Sequence, residues 1–430
     1  MTPFVFATLV LAQASQAAAP GASSSEPRVA IRGQVTVLAD ALPRRDVAEL
    51  RPQAAIEVAA RASSLMRVKF EGFAEALVAN RDGRVTAAAG RVREAWMELA
   101  GERGDMRVGY GRVIWGRLDE VQPSDVINPL NVSRYLFDGR NSARLPVTFL
   151  RGRWFASESL VVEGVVVPLF RRATFDELAE ESSPFNLVRD LVLPASVSLS
   201  TSQVDRREPR RAWSNVSGGG RVSATIGRVD VAAGVFRGFD GFGVVSFDPD
   251  GPVLDADGAI VPGVVGHLVE RFPRFTMISG DFETVTGEWA WRGEAAFFVD
   301  KTLANTGHGL VRGRALDAGF GFDRRTGEFR IYASAILHRE RWGEGFPVIR
   351  TDLNVVGSIE RQFSRDRYLA RAFAVVNPAD ASGFLRGLVV WRARDNMALE
   401  VSAAAFVGTS DDTLGRFKTC DFVLVRWRVF

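Results

Sequence analysis

The polar stretch from residue 117 to residue 144 carries side chains whose types and spacing could act on a charged or polar solute. Carboxylates and guanidiniums that stand close together attract or repel ions, most strongly in a narrow passage where water screens them poorly. We expect seven residues of the stretch to line such a passage: Arg117, Asp119, Glu120, Asp125, Asn128, Asn131 and Arg134. An ordered loop that only stabilises the mouth of the fold is the alternative, and the sequence leaves both open.

Catalytic chemistry has little support in the sequence. His308, in the turn-like stretch Asn305–Gly309, could act as a general base, but no Gly-x-Ser-x-Gly nucleophile motif accompanies it. The three histidines lack the spacing of metal ligands, and the single cysteine, Cys420, cannot form an intramolecular disulfide. We therefore expect no enzyme and no cofactor.

Composition limits the fold classes that could position these residues. The chain has 430 residues, of which 47% are hydrophobic and 24% charged, so it is not a disordered or collagen-like chain. The formal net charge of +3 is small for this length and does not favour a nucleic-acid partner. The sequence contains no apolar run of about 18 residues, so we expect no spanning helix. If the protein crosses a membrane, it must do so as a closed β-barrel, which also satisfies the backbone in lipid.

Apolar and polar residues alternate along much of the chain, which is typical of strands with one face in lipid. Between residues 284 and 300, one alternate set contains no charged residue: Val285, Gly287, Trp289, Trp291, Gly293, Ala295, Phe297 and Val299. The pattern recurs in residues 29–38, 350–376, 385–393 and 397–407. We predict an all-β, antiparallel, up-and-down transmembrane barrel of about 16–18 strands with one inward-folded loop. A large soluble β-sandwich or propeller is the alternative, but no repeat of about 40–50 residues supports a propeller.

The polar alternate set predicts the inner wall of this barrel. We expect six charged side chains to face the lumen: Arg32, Glu288, Arg292, Glu294, Arg386 and Arg392. Charges of both signs on adjacent strands usually form ladders that strengthen the wall, so direct contact with a solute is the weaker interpretation for each. Turn-forming residues lie at Asn80–Gly83, Arg324–Gly327 and Arg394–Asn396, and the longer links are 117–144, 172–192, 202–216, 240–267 and 300–310. Short turns at one end and long loops at the other are typical of bacterial barrels.

Two short elements carry a resemblance to a known family. Gly111–Gly116 contains a Gly-Arg pair followed by Trp115 and a glycine, and Asp125–Asn131 contains Asn-Pro-x-Asn after an acidic run. Together they resemble the porin-like outer-membrane proteins of Gram-negative bacteria, a domain-of-unknown-function family similar in plan to alginate-export porins. In that family the tryptophan follows the arginine at a wider spacing. The resemblance implies a porin-like outer-membrane barrel.

The N-terminal residues predict export. Residues 3–11 form an apolar core and small residues follow it, as in a signal peptide. The predicted organisation is a signal peptide (1–19), a flexible lead (20–27) and one barrel (28–430) with 117–144 as a loop in the lumen or at the mouth. The expected location is the bacterial outer membrane. The expected partners are its lipid, the barrel-assembly machinery during biogenesis and a small solute.

Three functions fit these expectations. The first is a channel for passive passage or export of small or amphipathic solutes. The second is a non-conducting structural or assembly component of the outer membrane with a plugged lumen. The third and most remote is a barrel-embedded hydrolase. Conductance in planar bilayers separates the first two, and hydrolase assays on lipid and peptide address the third.

Overall fold

The computed structural model describes residues 29–79, 85–175, 177–178, 180–183, 197–201, 203–251, 264–304, 310–343 and 347–430. The predicted signal peptide (1–19) and lead (20–27), the turn Asn80–Gly83 and His308 lie outside the described residues.

Strands dominate the described part of the chain. They are β1 Val29–Leu42, β2 Val47–Arg61, β3 Met66–Ala79, β4 Val85–Gly101, β5 Gly104–Gly111, β6 Val147–Ser157, β7 Leu160–Val167, β8 Val197–Leu199, β9 Asp205–Arg207, β10 Ser217–Ile226, β11 Val229–Phe239, β12 Val244–Pro249, β13 Val264–Arg271, β14 Arg274–Thr286, β15 Trp289–Ala304, β16 Leu310–Thr326, β17 Phe329–Trp342, β18 Val348–Phe363, β19 Tyr368–Asn377, β20 Ser382–Arg394, β21 Met397–Val407 and β22 Phe422–Val429. Within these described residues, eighteen strands form one antiparallel sheet, and β22 pairs back with β1 to close it. The predicted all-β up-and-down barrel is confirmed.

The two faces of each barrel strand differ, as β22 illustrates. Val423, Val425 and Trp427 are exposed on the outer surface, whereas Leu424 and Arg426 are buried inside. Successive side chains of a strand point to opposite faces, so this alternation separates an apolar outer surface from a polar interior. An apolar outer face is what a bilayer requires of a spanning barrel.

The alternation between residues 284 and 300 belongs to two strands rather than to one. β14 ends at Thr286 and β15 begins at Trp289, with a tight turn at Gly287 and Glu288 in which Gly287 has a φ of 62°. The apolar set of β15 from Trp289 onward faces outward, as predicted. Val285, by contrast, lies on β14 in the alternate set that faces the lumen. The expectation of one continuous strand was therefore wrong, because apolar residues flank the turn on both sides.

The two ends of the barrel differ in the length of their links. At one end, which we call the turn end, pairs of strands are joined by a few residues, such as 158–159, 327–328 and 395–396. The other end, which we call the loop end, carries the long links 112–146 and 168–216. In bacterial barrels the short turns face the periplasm and the long loops face outward. The loop end is therefore assigned to the external side.

Further structure lies within the long links. β12 pairs antiparallel with β13, and β8 and β9 pair parallel with β13, in a second small sheet. Two short helices, α1 (Val132–Asp138) and α2 (Arg140–Ala143), lie in the link 112–146. None of the helices in the described residues is long and apolar enough to span a membrane.

Aromatic side chains cluster on the outer surface at the turn end. Trp289 and Trp291 stack at 5.7 Å, and Phe322 of the next strand lies 5.2 Å from Trp289. The guanidinium of Arg324 lies 5.0 Å from the Trp289 ring. Amphipathic aromatic rings beside charged groups are typical of the boundary between hydrocarbon and water. This cluster marks the membrane boundary at the turn end.

Candidate functional site

The link between β5 and β6, residues 112–146, folds into the barrel, and we call it the lumen loop. The Arg117 side chain donates from Nε to Asp281 at 2.6 Å and from Nη1 to Glu283 at 3.0 Å. Both acids stand on the half of β14 that approaches the turn end. The loop therefore starts at the loop end and reaches past the middle of the lumen. The predicted inward-folded loop is confirmed.

Glu294 on the inner wall of β15 holds the descending part of the lumen loop. Its carboxylate accepts hydrogen bonds from the backbone N–H groups of Arg117 at 2.9 Å, Leu118 at 3.2 Å and Ser124 at 2.7 Å. The Ser124 hydroxyl adds a fourth at 2.7 Å. Gly116 has a φ of 101°, and a Cβ there would lie 2.6 Å from the same carboxylate. Only glycine fits this backbone beside the acid.

The acidic residues that follow also face the wall. Asp119 lies 2.9 Å from Arg330 and 3.6 Å from Arg292, and Glu120 lies 2.7 Å from Arg371. Burial raises the pKa of Glu120 to about 7, and the neighbouring Asp119 carboxylate acts in the same direction. Burial likewise raises the pKa of Asp119. These acids are therefore held against arginines of the wall, and protonation of Glu120 falls near neutral pH.

Three of the predicted residues contact other residues of the lumen loop. The carboxylate of Asp125 is buried and lies 2.7 Å from Arg144. Asn128 accepts from the Val113 backbone N–H and donates to the Leu145 carbonyl, both at 2.8 Å, so it ties the two ends of the loop together. Asn131 accepts from the Ser133 hydroxyl at 2.7 Å just before α1. Asp125 and Asn128 contribute mainly to the shape of the loop.

Helix α1 attaches the loop to a different part of the wall. Arg134 lies 3.0 Å from Asp138 one turn later, and Asp138 also pairs with Arg426 of β22. Burial alone would raise the pKa of Asp138, but Arg134 and Arg426 outweigh it and hold that pKa below its ordinary range. The rings of Phe137 and Phe422 are 4.5 Å apart. Ion pairs and apolar contacts therefore both hold helix α1 against the wall of the barrel.

Three of the predicted lumen-wall residues contact this loop. Glu294 and Arg292 have been described, and Arg292 also lies 3.0 Å from Asp323 on the next strand. Arg386 donates to the carbonyl of Leu136 in α1. These charges thus both link strands and seat the loop.

The other three lie toward the turn end. Arg32 faces inward and lies 3.3 Å from Glu57 on the adjacent strand, and the Arg392 guanidinium donates to the Asp366 carbonyl at 2.9 Å. Glu288 is part of the tight turn between β14 and β15 and lies 2.8 Å from Arg324. The expectation that Glu288 stands on the lumen wall follows from the misplaced strand boundary, and the structure corrects it.

A second segment, formed by residues 168–175, 177–178 and 180–183, also enters the lumen. Arg51 of β2 is fully buried, with its guanidinium 3.6 Å from Glu180 and 3.9 Å from Glu49. Glu180 in turn accepts from the Ser133 hydroxyl of α1. The second segment therefore fills the space between the lumen loop and β2.

Sequence reasoning missed this second segment, because it treated 172–192 only as a long link. The available signal was the acidic run that ends at Glu180 and Glu181, in the link that follows the apolar strand β7. Such a run cannot lie in lipid, so it requires either solvent or basic partners in the lumen.

A cavity of about 50 Å³ that opens to solvent remains beside the lumen loop. It lies between the helical part of the loop and strands β22 to β4. Its lining residues are Gln34, Thr36, Gln53, Ala54, Ala55, Phe73, Arg93, Asp138, Ser142, Arg426 and Arg428. The Arg93 guanidinium lies 3.5 Å from the centre of the Phe73 ring. This side of the lumen is polar and less filled than the side where Arg117, Asp119 and Glu120 meet the wall.

Comparison with known proteins gives a likeness of fold. No protein-family model matches the chain, and no curated protein matches it in sequence. The structure of Pseudomonas aeruginosa OpdK with vanillate aligns at 9% identity and a TM-score of 0.51, over 93% of this chain and 96% of that chain. A structure of OccK1 (OpdK) from the same organism gives the same values. At this identity the likeness shows the fold alone.

The shared fold is a closed antiparallel β-barrel. The expected location in the bacterial outer membrane agrees with it and with the apolar outer surface. The resemblance of Gly111–Gly116 and Asp125–Asn131 to a particular porin-like family stays a prediction.

Proposed function

We propose that the protein is an outer-membrane channel through which small polar solutes diffuse past the lumen loop. The observation that carries the proposal is the polar cavity, open to solvent, between that loop and strands β22 to β4. Its lining includes Gln34, Gln53 and Arg93, so a hydrated solute would meet hydrogen-bonding groups there rather than a packed apolar wall.

The lumen loop would set the route by closing the opposite side. Arg117, Asp119 and Glu120 form ion pairs with the inner faces of β14, β15, β17 and β19. Partly buried pairs with several hydrogen bonds leave little room for water or solute between loop and wall. In this proposal the seven predicted residues act by holding the loop in place, and the solute passes on the side of α1 and α2.

A non-conducting structural role is the second candidate, and one observation favours it. Two segments enter the lumen, and Arg51, Glu180 and Glu49 form a buried network between the second segment and the wall. Such filling could close the barrel completely.

Electrical recording of the purified protein in planar bilayers tests the channel against this alternative. We expect stepwise ionic conductance, and we expect it to rise when residues 118–135 are deleted from a barrel that still assembles. A folded barrel without conductance would assign the non-conducting role.

Cysteine labelling tests the route. In a Cys420→Ser background, Gln53→Cys should react with a charged methanethiosulfonate reagent and lose most of its conductance, because Gln53 lines the cavity. The matched control is Ala290→Cys, which stands on the inner wall of β15 across the barrel. Equal block at the two positions, or none at Gln53, would show that solute does not pass beside the helices.

A further inference from the structure

Four exposed arginines stand together on the outer surface of the barrel near the loop end: Arg312, Arg314, Arg339 and Arg341. We call them the arginine patch. The first two belong to β16 and the last two to β17. Ala315 and Glu340, which alternate with them along the strands, are buried on the inner face. The four guanidiniums therefore point away from the lumen.

The patch brings like charges together, and the described residues place no acidic partner beside them. The strand register sets Arg314 directly opposite Arg341 and sets Leu316 opposite Arg339. Within the described part of the chain, none of the four guanidiniums has a carboxylate within ion-pair distance. The outward acid of the neighbouring strand, Asp300, is instead 3.7 Å from Arg237. Like charges directly opposite one another destabilise a sheet, so the arrangement calls for an external anion.

The position of the patch identifies where that anion must be. Continuing toward the turn end, the outer face of β16 carries Leu316, Ala318 and Phe320, and that of β17 carries Leu337 and Ala335. The arginines thus stand where the apolar band ends, at the depth of the headgroups in the leaflet on the loop side.

Neighbouring strands add hydrogen-bonding groups at the same height. Thr302 of β15 pairs with Arg312, and Thr351 of β18 pairs with Arg339. Both hydroxyls share the outer face with the arginines that they oppose. The patch therefore combines four guanidiniums with two hydroxyl donors along one edge of the membrane.

We propose that the arginine patch binds the phosphate groups of an anionic, multiply phosphorylated lipid headgroup in the external leaflet. Guanidinium groups bind phosphate oxygens in a bidentate manner and remain charged at all physiological pH values. Arginines two residues apart on a strand are separated by about 7 Å, and opposite ones by about 5 Å, so the patch can hold more than one phosphate. This site goes beyond the channel proposal and does not depend on conduction.

The test measures lipid retained by the purified protein. The protein is incorporated into phosphatidylcholine nanodiscs with and without diphosphoryl lipid A, extracted into detergent, and the bound lipid is counted by native mass spectrometry. The double variant Arg314→Gln/Arg341→Gln should retain roughly tenfold less lipid A than the wild type, about the effect of losing one charged hydrogen bond. The matched control is Arg324→Gln/Arg361→Gln, which removes the same charge from outward arginines at the turn end, each paired with a glutamate.

Retention that is the same in the wild type and the Arg314/Arg341 variant would overturn the proposal, as would an equal loss in the control. Inorganic phosphate added to the protein in pure phosphatidylcholine distinguishes the source of the anion. If free phosphate raises the unfolding temperature of the wild type as much as lipid A does, the patch is an anion site and the lipid assignment is wrong. Channel conductance and heat-dependent migration on gels should be unchanged in both variants, because the substituted side chains are exposed on the outer surface and do not line the lumen. If the Arg314/Arg341 variant loses conductance or heat-dependent migration as well as bound lipid A, the patch serves barrel stability and the proposed lipid site is refuted.

Discussion

Replacing Glu294 with alanine should release the descending part of the lumen loop. The carboxylate accepts from three backbone N–H groups and one hydroxyl, all between 2.7 and 3.2 Å. A buried donor left without an acceptor costs roughly 1–3 kcal/mol. Water in the lumen can replace part of the lost hydrogen bonding, so we take the low end of this range, which gives about 3 kcal/mol for the three N–H groups. The equilibrium between the docked and the released lumen loop then shifts toward release by a factor of more than about 100, since each 1.4 kcal/mol changes an equilibrium constant tenfold.

The loop should then move without leaving the lumen entirely. Arg117 still has Asp281 and Glu283, and Trp115 stays packed against the wall, so the change is confined to residues near 116–124. In planar bilayers we expect a larger mean conductance with rapid fluctuations, and in solution faster tryptic cleavage of the loop. The conductance and cleavage rate of Glu294→Gln should lie between those of the wild type and Glu294→Ala, because the glutamine amide keeps one acceptor oxygen.

Glu288→Ala is the control, because it removes an exposed carboxylate at the turn end that contacts only surface groups. It should leave conductance, noise and cleavage unchanged. If Glu294→Ala is also indistinguishable from the wild type in all three measurements, the carboxylate does not hold the loop and the reasoning from its hydrogen bonds fails.

Three further predictions follow from the same structure. Val389→Arg, in the middle of the outer face of β20, should destabilise the folded barrel by roughly 2–4 kcal/mol. Trp289→Arg, at the membrane interface beside the turn, should cost only about 0–1 kcal/mol for its charge, in addition to the lost ring contacts. Urea unfolding in vesicles measures both free energies, and equal costs would place the membrane boundary elsewhere. Glu120, with its pKa raised to about 7, is neutral below that pH and negative above it, so cation selectivity from reversal potentials should fall as pH is lowered through neutrality, and Glu120→Gln should abolish the step. A wild-type selectivity that does not change with pH would contradict this prediction and show that Arg371 keeps the acid charged. Gly116→Ala should loosen the loop as Glu294→Ala does, because its Cβ would lie 2.6 Å from that carboxylate and its φ is 101°; a wild-type conductance trace would contradict the close approach.

The class of the fold could be predicted because lipid imposes a period of two on each strand. The limits of individual strands were harder to predict. The sequence pattern predicts the turn Arg324–Gly327 but not the turn at Gly287 and Glu288, although the tripeptide Thr-Gly-Glu occurs at both places, at 286–288 and at 326–328. Both glycines have positive φ, 62° and 57°, so the recurrence of the tripeptide was the available signal.

The candidate site could be located in the sequence but not resolved into roles. Its charge density showed that residues 117–144 could not lie in lipid. The partners of Arg117, however, are more than 160 residues away along the chain, on β14. Nothing local distinguishes Asp119, which meets the wall, from Asp125, which is buried against Arg144. That distinction depends on how the loop turns after Gly116, which only the three-dimensional contacts reveal.

The inner wall itself explains why the lumen loop must cross the barrel. Near the loop end, Phe236, Phe275 and Phe298 form one apolar patch with Trp115 of the loop, and Phe384 and Phe422 form another with Phe137. The ring order of the strands sets these patches on opposite sides, with the first on β6 to β16 and the second on β20 to β2. Without the loop both patches would face water, and burial of each large side chain is worth roughly 1.5–3 kcal/mol. The loop-end half of the barrel is therefore a packed interior filled by the lumen loop and the second segment, and in the proposed channel these two segments and the cavity beside them would control permeation.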